Sequence, residues 1–434
     1  SSAASDVYKR QIKKNRDLVE KAIYQKRVQL SLDELFESES QVHSYKQKFE
    51  GLQAERNSNA KLISQSPTEK KPDLIRRGKE ISLEISILKP KLHIAEQQLR
   101  NYLLLVPNIP DERAPIGTNE SDNVEVRRWG SIPKFSFPIL DHVEILRKHS
   151  WAELDRISKI SGNRTYALKN DMATLEMLLL QIALQKARAS GFTTLSLPSI
   201  ARESALYGTG HFPEGKDQVY HFPEENLYLT GTSEVIINSL HADEILQEKD
   251  LPLLYAGFSP CFRKEAGSAG RDVRGLIRVH QFYKVELFVI CKNDIEESAR
   301  WFSKLLSISQ ELMQSLEIPY RVMDCCTGDM GLGKVRMFDI EAWVPSQEKY
   351  RETHSCSMLY DWQARRTGLR YRSIDTGELK FCHTLNNTAI ATPRIIVPFL
   401  ENHQTLNGGI SLPKVLQPYF SGISKLGDPS GYFI

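Results

Sequence analysis

Cysteine is scarce in this chain: six residues in 434 (Cys261, Cys291, Cys325, Cys326, Cys356 and Cys382), none forming a C-x-x-C pair. That excludes a disulfide-built scaffold and points to a reducing compartment, the cytoplasm. Long apolar runs are missing too. Nothing approaches the ~18 uninterrupted residues that a helical membrane span needs, and no secretory signal is visible. Net charge is almost absent, 57 Lys plus Arg against 54 Asp plus Glu, which excludes histone-like blanket affinity for nucleic acid. Any polyanion must be held by local patches. Glycine disappears locally: between Leu30 and Leu105 only Gly51 and Gly78 occur, so that region reads as helix. Residues 1–11 show no pattern and lack a Met; they are expected to be a tag, a processing remnant or a cloning scar.

The length predicts two domains. In the glycine-poor region Ile81, Ile85, Leu88, Leu92, Ala95, Leu99 and Tyr102 are spaced alternately by four and three, the 3.5-residue period of a supercoiling seam. A looser seam runs through Leu35, Val42, Tyr45, Phe49 and Leu52, with Arg56 and Asn59 interrupting before Ile63. Turn chemistry with two prolines lies between, from Ser64 to Asp73. The expected structure of residues 12–105 is an antiparallel helical coiled-coil hairpin, an arm of about 45 Å from roughly 30 residues a side. Basic residues crowd toward its tip. They suit phosphates, and they equally suit the solvated face of a coiled coil. Residues 106–117, rich in proline, are expected as a linker, and 118–425 as the second domain.

That domain announces itself in Ile277–Ile290. Ile277, Val279, Val285, Leu287 and Val289 fall on one face at a two-residue period, with Arg278, His280, Phe282, Lys284 and Glu286 on the other. One apolar face argues an antiparallel sheet packed on helices, so the fold class is α+β. A cation, a ring and a carboxylate in line suit a ligand with a phosphate, a planar base and an ammonium. Leu253–Glu265 reads as a second strand, with Arg263 and Glu265 sharing a face. The loop joining the two holds Gly267, Gly270, Gly275, Arg271 and Arg274 and could close over a nucleotide or grip a phosphate backbone.

Gly328–Val335 nearly satisfies the phosphate-loop pattern, but Val335 replaces the required hydroxyl and Arg336–Val344 alternates like a strand, so that reading is rejected. Glu352 and Ser355 offer hard oxygen ligands suited to Mg2+. Pro393 is expected in the first turn of an apolar helix, with Arg394 at its dipole-positive end and an anion as its partner. His354, Cys356, Cys325 and Cys326 have no zinc-site spacing, and no zinc is expected.

These segments together resemble class II aminoacyl-tRNA synthetases, and more narrowly the bacterial-type seryl-tRNA synthetase family. The matching stretches are Leu229–Glu234, Phe262–Leu276, Val279–Glu286, Arg351–Ser357 and Leu385–Arg394, with Glu55–Asn57 and Gly208–Phe212 also fitting. Ser233 stands where the family usually has Ala, and Pro398 is expected to kink the last helix. The resemblance implies a class II antiparallel catalytic sheet flanked by helices, and a two-step reaction. Serine and ATP would give seryl-adenylate, and the seryl group would pass to tRNA(Ser), with the selenocysteine tRNA an expected second acceptor. It implies Arg263, Glu352 and Arg394 as catalytic: Arg263 on the α-phosphate and the serine carboxylate, Arg394 on the γ-phosphate. Phe282 would stack under adenine and Glu265 bond its amino group. Lys264, Val279, Thr353 and His354 would be further ATP contacts, and Glu352 and Ser355 would bind Mg2+. Thr232, Ser233, Glu234, Arg263, Glu286, Asn386 and Thr388 would take serine. Lys46, Arg56, Lys61, Arg76, Arg77, Arg271 and Arg274 would meet tRNA. A cytoplasmic homodimer joined around Gly191–Pro198 is implied, with no DNA or membrane partner. The rival reading is a catalytically inactive, RNA-binding or regulatory paralogue, which would be expected to have lost one of Arg263, Glu352 and Arg394.

Overall fold

The structure, a computed structural model, describes residues 12–267, 270, 272 and 274–427; the expected leader 1–11 and Arg271 lie outside them. Two compact units separate among the described residues: one is Asp17–Pro107, the other takes those from Asn108 to residue 427 together with residues 12–16.

The smaller unit is a helical hairpin. Helix α1 (Leu32–Gln65) starts at Ser31, whose hydroxyl accepts from the Glu34 amide at 3.4 Å, an N-cap satisfying one of the first turn's orphan donors. A short 3-10 turn, Thr68–Lys70, leads into α2 (Lys71–Leu105), with Pro72 in its opening turn, where a missing N–H costs nothing. Ile81, Ile85, Leu88, Leu92, Ala95 and Leu99 are all buried, and Leu52, Ile81, Ile85 and Leu88 form one cluster with Tyr45 and Phe49 against it. Asn59, which broke the seam in sequence, is also buried and spends its amide on the Leu74 carbonyl at 2.8 Å.

The larger unit is built on an eight-stranded sheet. Its strands are β1 (Val124–Trp129), β2 (Thr193–Ser196), β3 (Leu253–Phe262), β4 (Gln281–Cys291), β5 (Tyr320–Asp324), β6 (Arg336–Val344), β7 (Lys349–Tyr360) and β8 (His383–Thr392). Their spatial order is β1-β5-β6-β7-β8-β4-β3-β2, antiparallel throughout except for the β2–β3 pair. The core on one face contains Val285, Leu287 and Val289 of β4 with helices α3 (Asp171–Ala189) and α5 (Ile295–Ser315). The other face of β4 is apolar only at its far end, where Phe288 and Ile290 join a second cluster with Ile237 of α4 (Glu234–Leu240) and Ala364 of α6 (Trp362–Thr367).

Three boundaries differ from the sequence expectation. The stretch expected as a linker is hydrogen-bonded into the larger unit from Asn108 on. The Asn108 amide donates to Leu332 O at 2.8 Å, its side chain to Leu359 O at 2.8 Å, and the Asp111 amide to Val335 O at 2.9 Å. Prolines remove donors, but the remaining ones still need acceptors. Strand β3 stops at Phe262, so Arg263 and Glu265 follow the strand, Glu265 at φ +52°. Helix α7 begins at Ile396 (Ile396–His403), which puts Pro393 and Arg394 in the turn before it. Pro398 consequently falls in the first turn, where no intrahelical hydrogen bond is lost, and needs no kink.

Candidate active site

Two cavities lie at the polar face of the sheet. A cavity of about 470 Å3 is lined by Thr232, Glu234, Arg263, Lys284, Glu286, Asp339, Glu352, Ser355 and Asn386 among others. A smaller one of about 60 Å3 is lined by Arg263, Glu265, Val279, Phe282, Lys284, Glu352 and Arg394 among others. Arg263, Lys284 and Glu352 border both, so the two adjoin at those side chains.

The sheet's irregularities decide who faces in. Between β6 and β7, Ile340 pairs with His354 but Glu341 with Glu352, so Thr353 is an extra residue. This bulge resets the alternation and lets Glu352, Ser355 and Ser357 share the cavity wall despite their odd spacing. Thr353 and His354 are turned away as a result and line neither cavity. The His354 ring donates from Nε2 to Ala389 O at 3.1 Å and accepts at Nδ1 from the Thr353 hydroxyl at 2.8 Å, an oxygen that also lies 3.1 Å from Ile340 O. Burial pushes His354 down to about 4, which keeps it neutral.

Three other expected residues also lie off the cavity walls. Ser233 is fully buried with its hydroxyl on Gly257 O and the Ser259 hydroxyl. Lys264 extends over the Tyr220 ring at 5.8 Å. Thr388 sits opposite Glu286 in the β4–β8 register but is absent from the lining.

Charge is distributed in two zones. Arg263 lies over the Phe282 ring at 5.1 Å and reaches Gly231 O at 3.4 Å. Arg278 is occupied by Glu265 at 3.0 Å and Asp272 at 3.3 Å, and Arg351 also bonds Asp272, so these two are framework. Among the described residues Arg394 meets the half-exposed Glu352, its carboxylate at 3.8 Å and its carbonyl at 3.4 Å. Burial chiefly pushes its guanidinium down from its ordinary value, the charges of Arg263 and Arg278 add to this, and Glu352 opposes it. That is a site short of negative charge. In the other zone Lys284 and Glu286 pair at 2.5 Å, almost fully buried, and burial pushes both Glu286 and Glu234 up. Asp339 is pushed up to about 7 by burial and then by Glu352, and its Oδ1 is buried with no hydrogen-bond partner among the described residues.

Sequence reasoning missed part of this wall. Gly331–Lys334, dismissed with the false phosphate loop, lines the large cavity, as do His211 and Trp362. No helix follows that loop; β6 does, so the rejection holds while the residues still matter. Two glycines give the reason they approach so closely. A Cβ on Gly210 or Gly333 would stand 2.3 or 2.5 Å from the Trp362 ring, so the indole is slotted between two bare backbones.

On the arm, Lys46, Arg56, Lys61 and Arg76 are exposed, with Arg76 at 3.1 Å from Asp73. Arg77 is less available than its sequence position implied, since Glu55, Glu80 and Glu84 surround it at 2.8, 3.3 and 3.5 Å. Arg274 pairs with Asp141 at 3.1 Å.

An antiparallel sheet with helices behind it and an arginine-lined cavity in front is the core of a class II aminoacyl-tRNA synthetase. The family model of that core (types G, H, P, S and T) matches residues 220–403. The seryl-tRNA synthetase N-terminal domain matches residues 9–110. The chain is 53% identical to the serine–tRNA ligase of Deinococcus radiodurans, covering 96% of this chain and 98% of that one. Among solved structures, seryl-tRNA synthetase from Pyrococcus horikoshii complexed with ATP superimposes with a TM-score of 0.83 at 37% identity, over 96% and 98% of the two chains. The cytoplasmic enzyme of Naegleria fowleri in complex with AMP gives 0.79 at 28% identity, over 95% of each. This chain belongs to the seryl-tRNA synthetase family.

Proposed function

We propose that the chain is a serine–tRNA ligase that activates L-serine with ATP and passes the seryl group to tRNA(Ser). The observation that carries this is the convergence of Arg263 and Arg394, far apart in sequence, on one cavity that adjoins the larger polar one through Arg263, with Arg394 held among the described residues by Glu352, through a weak carboxylate contact and a bond to its carbonyl. The first step is attack of a carboxylate on the α-phosphorus. Both reactants are anions, so positioning and charge neutralisation lower the barrier. Arg263, at the junction of the cavities, is read as holding the serine carboxylate beside the α-phosphate, and Arg394 as holding the γ-phosphate. Phe282 gives the adenine a flat platform, with Glu265 accepting from its amino group. Glu352 and Ser355 would hold Mg2+, which neutralises phosphate charge; the hard oxygen set and the unpartnered Asp339 Oδ1 nearby fit such an ion.

Serine selectivity is assigned to Thr232, Glu234, Glu286 and Asn386. A pocket whose buried polar groups require partners rejects alanine more strongly than an apolar one could. The exposed arm cations Lys46, Arg56, Lys61 and Arg76 are read as contacts to the tRNA backbone, which supports binding by shape. Strand β2 pairs on one side only among the described residues, and an open edge suits the proposed homodimer.

Serine-dependent ATP–pyrophosphate exchange tests the reading. Serine should support exchange and threonine or alanine should fall at least about a hundredfold behind. Folded protein that exchanges with no amino acid is the inactive paralogue instead.

A further inference from the structure

Glu234 reaches the cavity from α4, and it is held from behind by residues that do not line it. Gln363 is fully buried on α6, and its Nε2 donates to Glu234 Oε1 at 2.7 Å. Behind it the hydroxyl of Thr384 on β8, also fully buried, donates to Gln363 Oε1 at 2.8 Å. The amide cannot turn over, because its oxygen would then face a carboxylate oxygen and both would be acceptors. Helix α6 itself is fixed by the neighbouring Trp362 between Gly210 and Gly333. We propose that Gln363 is a positioning residue for amino-acid activation: it holds Glu234 as an acceptor aimed into the serine end of the cavity, and Thr384 locks its amide from behind.

The assignment rests on the serine-ligase reading and deepens it. Five groups bear on Glu234. Lys284 and Glu286 come from β4, Lys334 from the loop before β6, Asn386 from β8 and Gln363 from α6. Burial works to protonate Glu234, while Gln363, Lys284, Lys334 and Asn386 work to keep it ionised. Removing the Gln363 donor leaves burial less opposed, so the carboxyl takes up a proton at higher pH and ceases to accept. Nothing in this chain of contacts touches Arg394, Phe282 or Glu265, so the nucleotide end should not feel it.

Three variants test this: Q363L, which deletes the donor, Q363E, which replaces it isosterically, and T384V, which unlocks it. In serine-dependent exchange Q363L should raise the serine KM at least about tenfold while the ATP KM stays within about twofold, with the acid limb of kcat/KM for serine moved to higher pH. Q363E should lose serine activation near pH 8 and recover part of it near about pH 6, where a shared proton restores the donor. T384V should move the serine KM in the same direction by about threefold. Serine and ATP KM rising together, or a lowered melting temperature with an unmoved serine KM in Q363E and T384V, would overturn the assignment and leave Gln363 a structural residue. Should Q363L not fold, the isosteric Q363E and T384V decide. A parent protein without serine-dependent exchange sinks the ligase reading itself, whatever the variants do.

Discussion

At the scale of single residues, the two arginines of the cavity carry separable loads. Arg394 is flanked by one loosely held carboxylate, so removing it should leave the fold intact and lose a charge-assisted contact used most when phosphate charge shifts. We expect Arg394→Ala to reduce serine-dependent exchange by about 10²–10³-fold with little change in melting temperature. Arg394→Lys should restore part, because a lysine keeps the charge and loses the fork. Arg263→Ala should cost at least as much and also raise the serine KM, since Arg263 borders both cavities. Steady-state exchange with each substrate varied would separate the two patterns.

His354 makes a different prediction. Its folded value of about 4 lies below the ordinary 6.5, so the unfolded chain binds a proton where the native state does not. Stability from this site is complete above about pH 6.5 and is lost as pH falls toward about 4, at roughly 1.4 kcal/mol per pH unit. The carboxyls pushed up by burial have the opposite sign, so total stability is not the readout. The difference in unfolding free energy between parent and His354→Gln is. Urea denaturation should show the parent losing ground to the variant below about pH 6.5, and a pH-independent difference would show that His354 titrates normally. The family resemblance implies His354 as an ATP contact. One inserted residue, Thr353, turns its ring away from the cavities, and no single-strand periodicity reveals that insertion.

At the scale of elements, spacing was legible wherever one face met a core. The α2 seam from Ile81 to Leu99 is buried as its period demanded, and β4 alternates between Val285, Leu287 and Val289 in one core and Phe282, Lys284 and Glu286 at the cavities. The ends of elements were not legible. Strand β3 stops before Arg263 because its last paired residue is Phe262, opposite Gln281, a fact of partnership that the strand's own sequence does not carry. The approach of the Gly331–Lys334 loop to Trp362 is likewise a contact across distant segments. It predicts that Gly333→Ala, at a position with ordinary backbone angles, must displace the indole that seats α6. The overpacking should cost about 1–3 kcal/mol and weaken serine activation more than ATP binding. Chemical denaturation and substrate-varied exchange check both halves, and an unchanged serine KM in a destabilised variant would break the link between Trp362 and the amino-acid end.

At the scale of the whole molecule, the proposed function assigns activation and tRNA binding to different units. Every residue assigned to ATP or serine lies in 232–394, inside the larger unit, whereas the exposed cations Lys46, Arg56, Lys61 and Arg76 lie in the hairpin. The hairpin has its own apolar cluster, from Leu52 and Ile81 to Leu88, so its removal strips no side chain from the catalytic core. Its two strands of chain are close at the base, where the Tyr102 hydroxyl meets Glu34 at 3.4 Å, and a short Gly/Ser linker can join residue 34 to residue 100 after deletion of 35–99. Adenylate formation by the deleted protein should stay within about threefold of the parent. Charging of tRNA(Ser) should fall by at least about a hundredfold, because the phosphate contacts proposed for the hairpin would be gone. The remaining charging should also depend less steeply on salt, since fewer counterions are released on binding. If exchange and charging drop by the same factor, the hairpin is serving the fold or the chemistry of activation, and its cations have no special claim on the tRNA.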